Sequence, residues 1–301
     1  MMKSREYRTV QAIAHIFCII LTLAALLPFV LLIISSFTDN EWASVYGYSY
    51  FPKEWSMEAY RYIAYQWGEI GHAYLMSFVV TGFGTLLSIF MTTMFAYGVN
   101  NSKIPGMRIL NGALVFTMLF NGGLVATYYS YVNVFHIKNT LMAVLIPSLV
   151  MNAFNVILVR NYYRSSIPES LMEAARIDGA GEFTIFGRIV FSLSRPIIAT
   201  IGLMTALSYW NDWQNGFYYL SERGGKQYYT IQVLLNTINE NIQVLVQNAS
   251  RAASIGARVS DLPSTTIRMA IAVIGILPII AVYPFFQKYF VKGITLGGVK
   301  E

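Results

Sequence analysis

Stretches without a single charged residue, each long enough to cross a bilayer, dominate this chain and decide its fold class before any motif is considered. A helix rising 1.5 Å per residue needs about 20 apolar residues to traverse roughly 30 Å of hydrocarbon. Runs 9–38, 73–102, 109–137, 139–159 and 269–287 meet that length, and a sixth, 196–211, reaches it if extended through Tyr218 past Asp212. The expected architecture is therefore an all-α, polytopic membrane protein with six transmembrane helices at about 11–36, 73–99, 107–130, 140–160, 196–218 and 267–287. These form one transmembrane domain over 1–301. Composition agrees: 12% of residues are charged and 55% are apolar, a balance that nearly excludes a soluble enzyme. The first run is too long for a signal-peptide core and reads as a retained anchor.

Alternating the sides of successive spans from an inner N-terminus places 13 Lys and Arg residues on one side and 8 on the other. The richer side is read as cytoplasmic, which puts both termini inside. The net charge of +6 is thus a side bias and does not call for nucleic acid. One cysteine, Cys18, and three scattered histidines, His15, His72 and His136, supply neither a disulfide framework nor a metal site. No phosphate-cradling G-x-x-x-x-G-K-[ST] loop exists; Gly224-Gly225-Lys226 lacks the spacing and the hydroxyl residue. Along the second span, Gly84, Ser88, Thr92 and Ala96 recur at i+4 as a small-residue seam.

The informative inner segment is 161–195. Ser166 and Glu169 have capping-box spacing and Pro168 suits a first helical turn. Leu171, Ala174, Ala175 and Ile177 give a short apolar face that stops at Gly179. A second short helix from Glu182 would carry Phe183, Phe186, Ile189 and Val190 on one side before Ser194 and Pro196 open the fifth span. Small residues for close approach, with Glu173, Arg176, Asp178 and Glu182 for directional contacts, suit docking. The same pattern also serves an amphipathic loop resting on headgroups.

On the outer side, Tyr209-Trp210-Asn211-Asp212-Trp213 offers aromatic faces for the CH faces of a sugar and polar groups for its hydroxyls. An interfacial aromatic belt is the competing reading, shared by Tyr128, Tyr129, Tyr131, Tyr218 and Tyr219. The polar loop through 237–259 contains an amphipathic stretch near Ile242 and Leu245 and a glycosylation-like Asn248-Ala-Ser250.

Glu173-Ala174-Ala175, three residues, Gly179, nine residues and Ile189 resemble the EAA loop of permease subunits in ABC-type, binding-protein-dependent importers. Glu173-Ala-Ala-Arg-Ile-Asp-Gly-Ala is similar to the version in carbohydrate permeases of the maltose type. Phe120-Asn-Gly-Gly, Trp210-Asn-Asp-Trp and the string from Tyr283 to Lys300 extend the resemblance over nearly the whole chain, toward permeases for oligosaccharides of complex polysaccharides. The chain departs at Phe191 and Ser192, where the family usually has Leu and Pro.

The resemblance implies a type I importer permease fold with a cytoplasmic coupling helix, in the cytoplasmic membrane of a bacterium. Glu173, Ala174, Ala175, Arg176, Asp178 and Gly179 would couple to the ATPase. The implied partners are a second permease chain in a heterodimer, two ATP-binding subunits and an extracytoplasmic solute-binding protein. No cofactor would bind this chain, ATP and Mg residing on the partner ATPases. The cargo implied is a sugar or oligosaccharide, with a peptide or amino acid as the alternative; a polytopic enzyme or sensor would need clustered acids, bases or nucleophiles that the chain lacks.

Overall fold

The computed structural model describes residues 5–101, 104–247 and 264–298. Among them, helices account for the regular structure, and extended pairing is confined to one antiparallel bridge between Thr38 and Trp55. The chain divides into two compact units, Met1–Glu69 with Thr237–Leu277, and Ile70–Asn236 with Pro278–Glu301.

In the first unit, α1 (Arg5–Ser36) has its apolar side chains exposed along almost its whole length. Asp39 then caps α2 (Asn40–Tyr46), its carboxylate accepting the Glu41 and Trp42 amides at 2.9 and 3.0 Å. Residues 54–56 return to pair with 37–39, and α3 (Glu58–Tyr65) follows, with Tyr60 stacked on Phe37 at 4.7 Å.

The second unit carries most of the buried core. Here α4 (Trp67–Asn100) is the spine, entering the unit at Ile70. The expected small-residue seam is buried: Gly84, Ser88, Thr92 and Ala96 all face inward, continued by Ala73 and Ser77. A side chain at Gly84 would lie 2.5 Å from the Tyr209 ring, and one at Gly202 would lie 3.1 Å from Ile89 Cδ1. Small residues therefore let the helix bearing Tyr209 approach the spine closely.

Three described helical stretches are long and apolar enough to cross a membrane, Thr9–Ser36, Trp67–Asn100 and Thr265–Val282. Counting the pair Glu182–Leu193 and Arg195–Asn211, bent by 81°, gives up to four. The third and fourth uncharged runs are not single helices. The third is α5 (Met107–Leu119), a break at Phe120–Gly122, then α6 (Gly123–Tyr129) running into a π-helical turn at Ser130–Val134. Gly123 takes φ +79°, a left-handed conformation that suits glycine. The fourth is a single turn, α7 (Met142–Leu145), interrupted by Pro147 and Ser148, then α8 (Ala153–Ser166), capped by Asn152. Charge-free length measures apolarity, and these Asn, Gly and Pro residues decide continuity.

Breaking a helix at membrane depth exposes backbone carbonyls that must find donors within the protein. Tyr209 Oη donates to the Leu145 carbonyl at 2.8 Å and Asn215 Nδ2 to the Pro147 carbonyl at 3.0 Å. Asn139 Oδ1 accepts from the Ser221 amide at 2.7 Å. The remaining elements are α9 (Glu169–Ile177), α10 (Glu182–Thr184), a π-helical stretch Ile185–Val190, α11 (Phe191–Leu193), α12 (Arg195–Asn211), α13 (Gln214–Tyr219), α14 (Glu222–Gly225), α15 (Ile231–Gln247) and α16 (Ser264–Gly298). The first part of the expected polar loop is thus helical to Gln247, while Asn248-Ala-Ser250 and the remainder through 259 lie outside the described residues. Lys3, Lys103, Arg251, Arg258 and Lys300, used in the charge count, lie outside them as well.

Candidate functional site

The segment between α8 and α12 folds as the spacing predicts, with three local differences. Ser166 belongs to the last turn of α8, so the expected capping box does not form; Pro168 occupies the N-cap of α9, with no side chain capping it. The stop is as expected and its mechanism is visible. Gly179 has φ +80°, its amide donates to the Arg176 carbonyl at 3.0 Å, and the Ala180 amide reaches the Ala175 carbonyl at 2.9 Å. This pair of bonds is a Schellman motif, and it satisfies carbonyls the helix end would otherwise strand.

The apolar residues of α9 are split between two faces. Met172 and Ala175 pack against the core built from Val156, Val159, Ile185 and Val190, whereas Leu171, Ala174 and Ile177 point outward. Ile177 is 86% exposed. Glu173, Arg176, Asp178 and Gly179 are exposed with them, so seven residues around one helix end present a small apolar stripe rimmed by charge. The third difference concerns the next helix. Its π-helical turn shifts the packed face, so Ile185 is buried where Phe183 was expected, and Phe183 is 78% exposed. The helix nevertheless runs through Phe191 to Leu193, and the bend falls at Ser194, whose hydroxyl donates to the Val190 carbonyl at 2.6 Å. Phe191 and Ser192 thus continue the helix where Leu-Pro would have interrupted it.

A clamp fixes the turn between the two short helices. Arg176 Nε donates to Glu182 Oε1 at 2.8 Å, and the Tyr97 hydroxyl, from the last turn of α4, donates to Glu182 Oε2. The Tyr97 ring also meets Phe186 at 5.4 Å. The hydrogen bond from Arg176, aided by that from Tyr97, holds the Glu182 carboxyl below its ordinary carboxylate range. Sequence reasoning singled out Arg176 and Glu182 but missed Tyr97, because nothing local to a tyrosine near the end of a long span announces a partner 85 positions away.

The aromatic segment at the end of α12 separates into different surroundings. Tyr209 is buried to 1% exposure, its ring on Gly84 and its hydroxyl on Leu145. Trp210 meets Phe78 at 5.2 Å and Tyr74 at 6.4 Å and lines a cleft of about 210 Å³ with Phe78, Gly82, Leu207 and Pro278. Thr81 is the one lining residue with a polar side-chain atom other than the Trp210 ring nitrogen, so this cleft suits an apolar group better than a sugar's hydroxyls. Asn211 is exposed and its Nδ2 donates to the Leu207 carbonyl, Asp212 accepts the Asn215 amide at 3.4 Å, and Trp213 packs edge-on to Phe217. Tyr219 stacks with Tyr128 at 5.7 Å and meets Tyr131 edge-on at 5.8 Å, so these three serve the core, while Tyr129 is exposed. Among the described residues, no group of His, Cys, Asp and Glu is placed to hold a metal ion.

Residues 109–296 match the family described as "binding-protein-dependent transport system inner membrane component". Among curated proteins, the polygalacturonan/rhamnogalacturonan transport system permease protein YtcP of Bacillus subtilis is 37% identical over 94% of this chain and 96% of its own length. Protein LplC of the same organism is 31% identical over 91% of this chain and 89% of its own. Among solved structures, a chain of a bacterial ABC transporter involved in the import of the acidic polysaccharide alginate superposes with a TM-score of 0.77 at 28% identity, covering 96% of this chain and 99% of that one.

Proposed function

This chain belongs to the family of binding-protein-dependent transport system inner membrane components, and from that membership we propose that it is one of two permease subunits through which an ATP-driven importer carries an oligosaccharide across a bacterial cytoplasmic membrane. Members of this family are transport subunits, not enzymes. Residues 1–301 act as one permease domain with six membrane crossings, and both termini lie in the cytoplasm. The third and fourth crossings are made in pieces, the fourth with donors on its Leu145 and Pro147 carbonyls. Two ATP-binding subunits, carrying ATP and Mg, drive the cycle from the cytoplasm, and an extracytoplasmic solute-binding protein delivers the cargo. A sugar cargo is favoured over a peptide by the polysaccharide-transport relatives.

One observation carries the coupling role: the exposed stripe Leu171, Ala174 and Ile177, bordered by Glu173, Arg176 and Asp178, on a helix that ends in a rigid Schellman stop. An apolar face left uncovered on a short helix is suited to a groove on another protein, and its charged rim would fix register. In this reading α9 is the coupling helix: exposed Ala174 allows close approach, Ala175 seats the helix on the chain's own core, Glu173 makes an ionic contact, and Gly179 sets the turn. Trp210, Asn211, Asp212 and Trp213 lie along the substrate path or beside it, with Tyr209 supporting them from within.

The test is crosslinking in the assembled transporter. Ala174→Cys, in a Cys18→Ser background, should crosslink to an ATPase subunit, and Glu173→Lys should abolish uptake and loosen ATPase association while the chain still inserts. Uptake at the unmodified rate by Glu173→Lys, with no crosslink at position 174, would overturn the reading.

A further inference from the structure

The segment after α2 does not stay above the membrane end of α1. The Tyr50 hydroxyl donates to the Leu27 carbonyl at 3.2 Å. Leu27 is nine residues before Ser36, so the contact lies about 14 Å down the helix from its end. The uncharged run of α1 is longer than a bilayer core requires. With that run centred on about 30 Å of hydrocarbon, the level of Leu27 falls roughly 8 Å inside the boundary.

The loop that reaches this level has the composition its position demands. Between Glu41 and Lys53 there is no charge, and Trp42, Tyr46, Tyr48, Tyr50 and Phe51 supply five aromatic rings. Pro52 is turned inward and buried, Tyr46 and Tyr48 are exposed, and Phe51 is 89% exposed. The pairing of residues 37–39 with 54–56 ties the loop's base to the end of α1. A solvated loop held this way would present a bare phenylalanine to water at a depth where α1 itself presents only apolar side chains. Tyrosines and tryptophans settle at the headgroup level, and phenylalanine settles deeper.

We propose that the loop 46–53 is an interfacial anchor: it folds down along α1 into the adjoining leaflet, with Phe51 in the acyl region and Tyr46, Tyr48 and Trp55 among the headgroups. The occupant of this surface is bilayer lipid. The inference rests on α1 crossing the bilayer, but not on the cargo or on ATPase coupling.

Fluorescence quenching in the assembled transporter, reconstituted in phosphatidylethanolamine and phosphatidylglycerol vesicles, tests it. Phe51→Cys and Tyr48→Cys, each in a Cys18→Ser background, are labelled with an environment-sensitive dye, and signal from the same complex without the new cysteine is subtracted. Lipids carrying a spin label near the carbonyl should quench the dye at 51 at least twofold more than a dye at Lys53→Cys, with iodide having little effect at 51. Quenching at 51 by iodide would mean water covers the loop, and protection from both quenchers would mean a protein partner does; either result overturns the proposal. A dye at Ile20→Cys separates the premises. If position 20 is open to iodide, the span itself is wrong; if it is shielded and position 51 is not, only the anchor fails.

Discussion

Gly84 and Tyr209 show how one residue's absence of a side chain fixes another's position. The Tyr209 ring occupies the space that a Cβ at Gly84 would need, with three ring atoms within 2.8 Å of that point, and the ring cannot retreat without stretching its hydroxyl bond to Leu145. Gly84→Ala is therefore expected to destabilise the assembled transporter by about 1–3 kcal/mol, the usual range for overpacking. Gly82→Ala, on the same helix with nothing within 4 Å of the new methyl, should leave the melting temperature unchanged or slightly higher, since alanine is the better helix former. A melting comparison of the two variants in detergent decides the matter, and equal losses would disprove the contact. The same geometry bears on sugar binding. Tyr209 faces the protein interior and a carbonyl, so in the proposed substrate path it would support its neighbours; Trp210 is itself buried beside the apolar cleft, and Asn211 is exposed.

At the scale of elements, the clamp of Arg176, Glu182 and Tyr97 joins the turn after α9 to the last turns of α4. A push on α9 would otherwise be absorbed by its own short turn. With Glu182 held from both sides, a push in the proposed coupling role would be passed on to the spine of the second unit. Tyr97→Phe keeps the ring against Phe186 and removes only the hydroxyl. It is expected to lower transport per ATP hydrolysed by at least twofold while ATPase association persists, and an unchanged ratio would assign the clamp to stability alone. The pH sign follows from the lowered Glu182 carboxyl, whose ordinary value is 4.5. Its contribution is complete above that value and is lost as pH falls through the lowered folded-state value, so coupling should not change between neutral pH and mild acidity. The sequence made α9, its stop at Gly179 and its charged rim legible, because helix ends are encoded locally. It could not reveal Tyr97, nor the π-helical shift that buries Ile185 in place of Phe183. Both depend on packing between segments far apart in the chain.

For the molecule as a whole, apolar length was legible and helix continuity was not. Asn121-Gly122-Gly123 and Pro147-Ser148 break two runs that carry no charge, and the repair at the second comes from Tyr209 and Asn215, which no local pattern marks as donors to the Leu145 and Pro147 carbonyls. The side assignment rests on a different quantity, the surplus of Lys and Arg in the short segments that include 160–195. Such a surplus orients a multi-span chain because cationic loops resist translocation. The six crossings we propose, counted with the broken ones, would place residue 174 and residue 222 on opposite faces; only an odd number of crossings between them does so. One lies there, α12 with its continuation through α13. In cells carrying single-cysteine variants in a Cys18→Ser background, Glu222→Cys should react with a membrane-impermeant maleimide from outside, and Ala174→Cys should react only after the membrane is opened. Reaction of both from the same side would mean that the chain bent by 81° before α12 turns back without crossing, and the six-span count would fall with it.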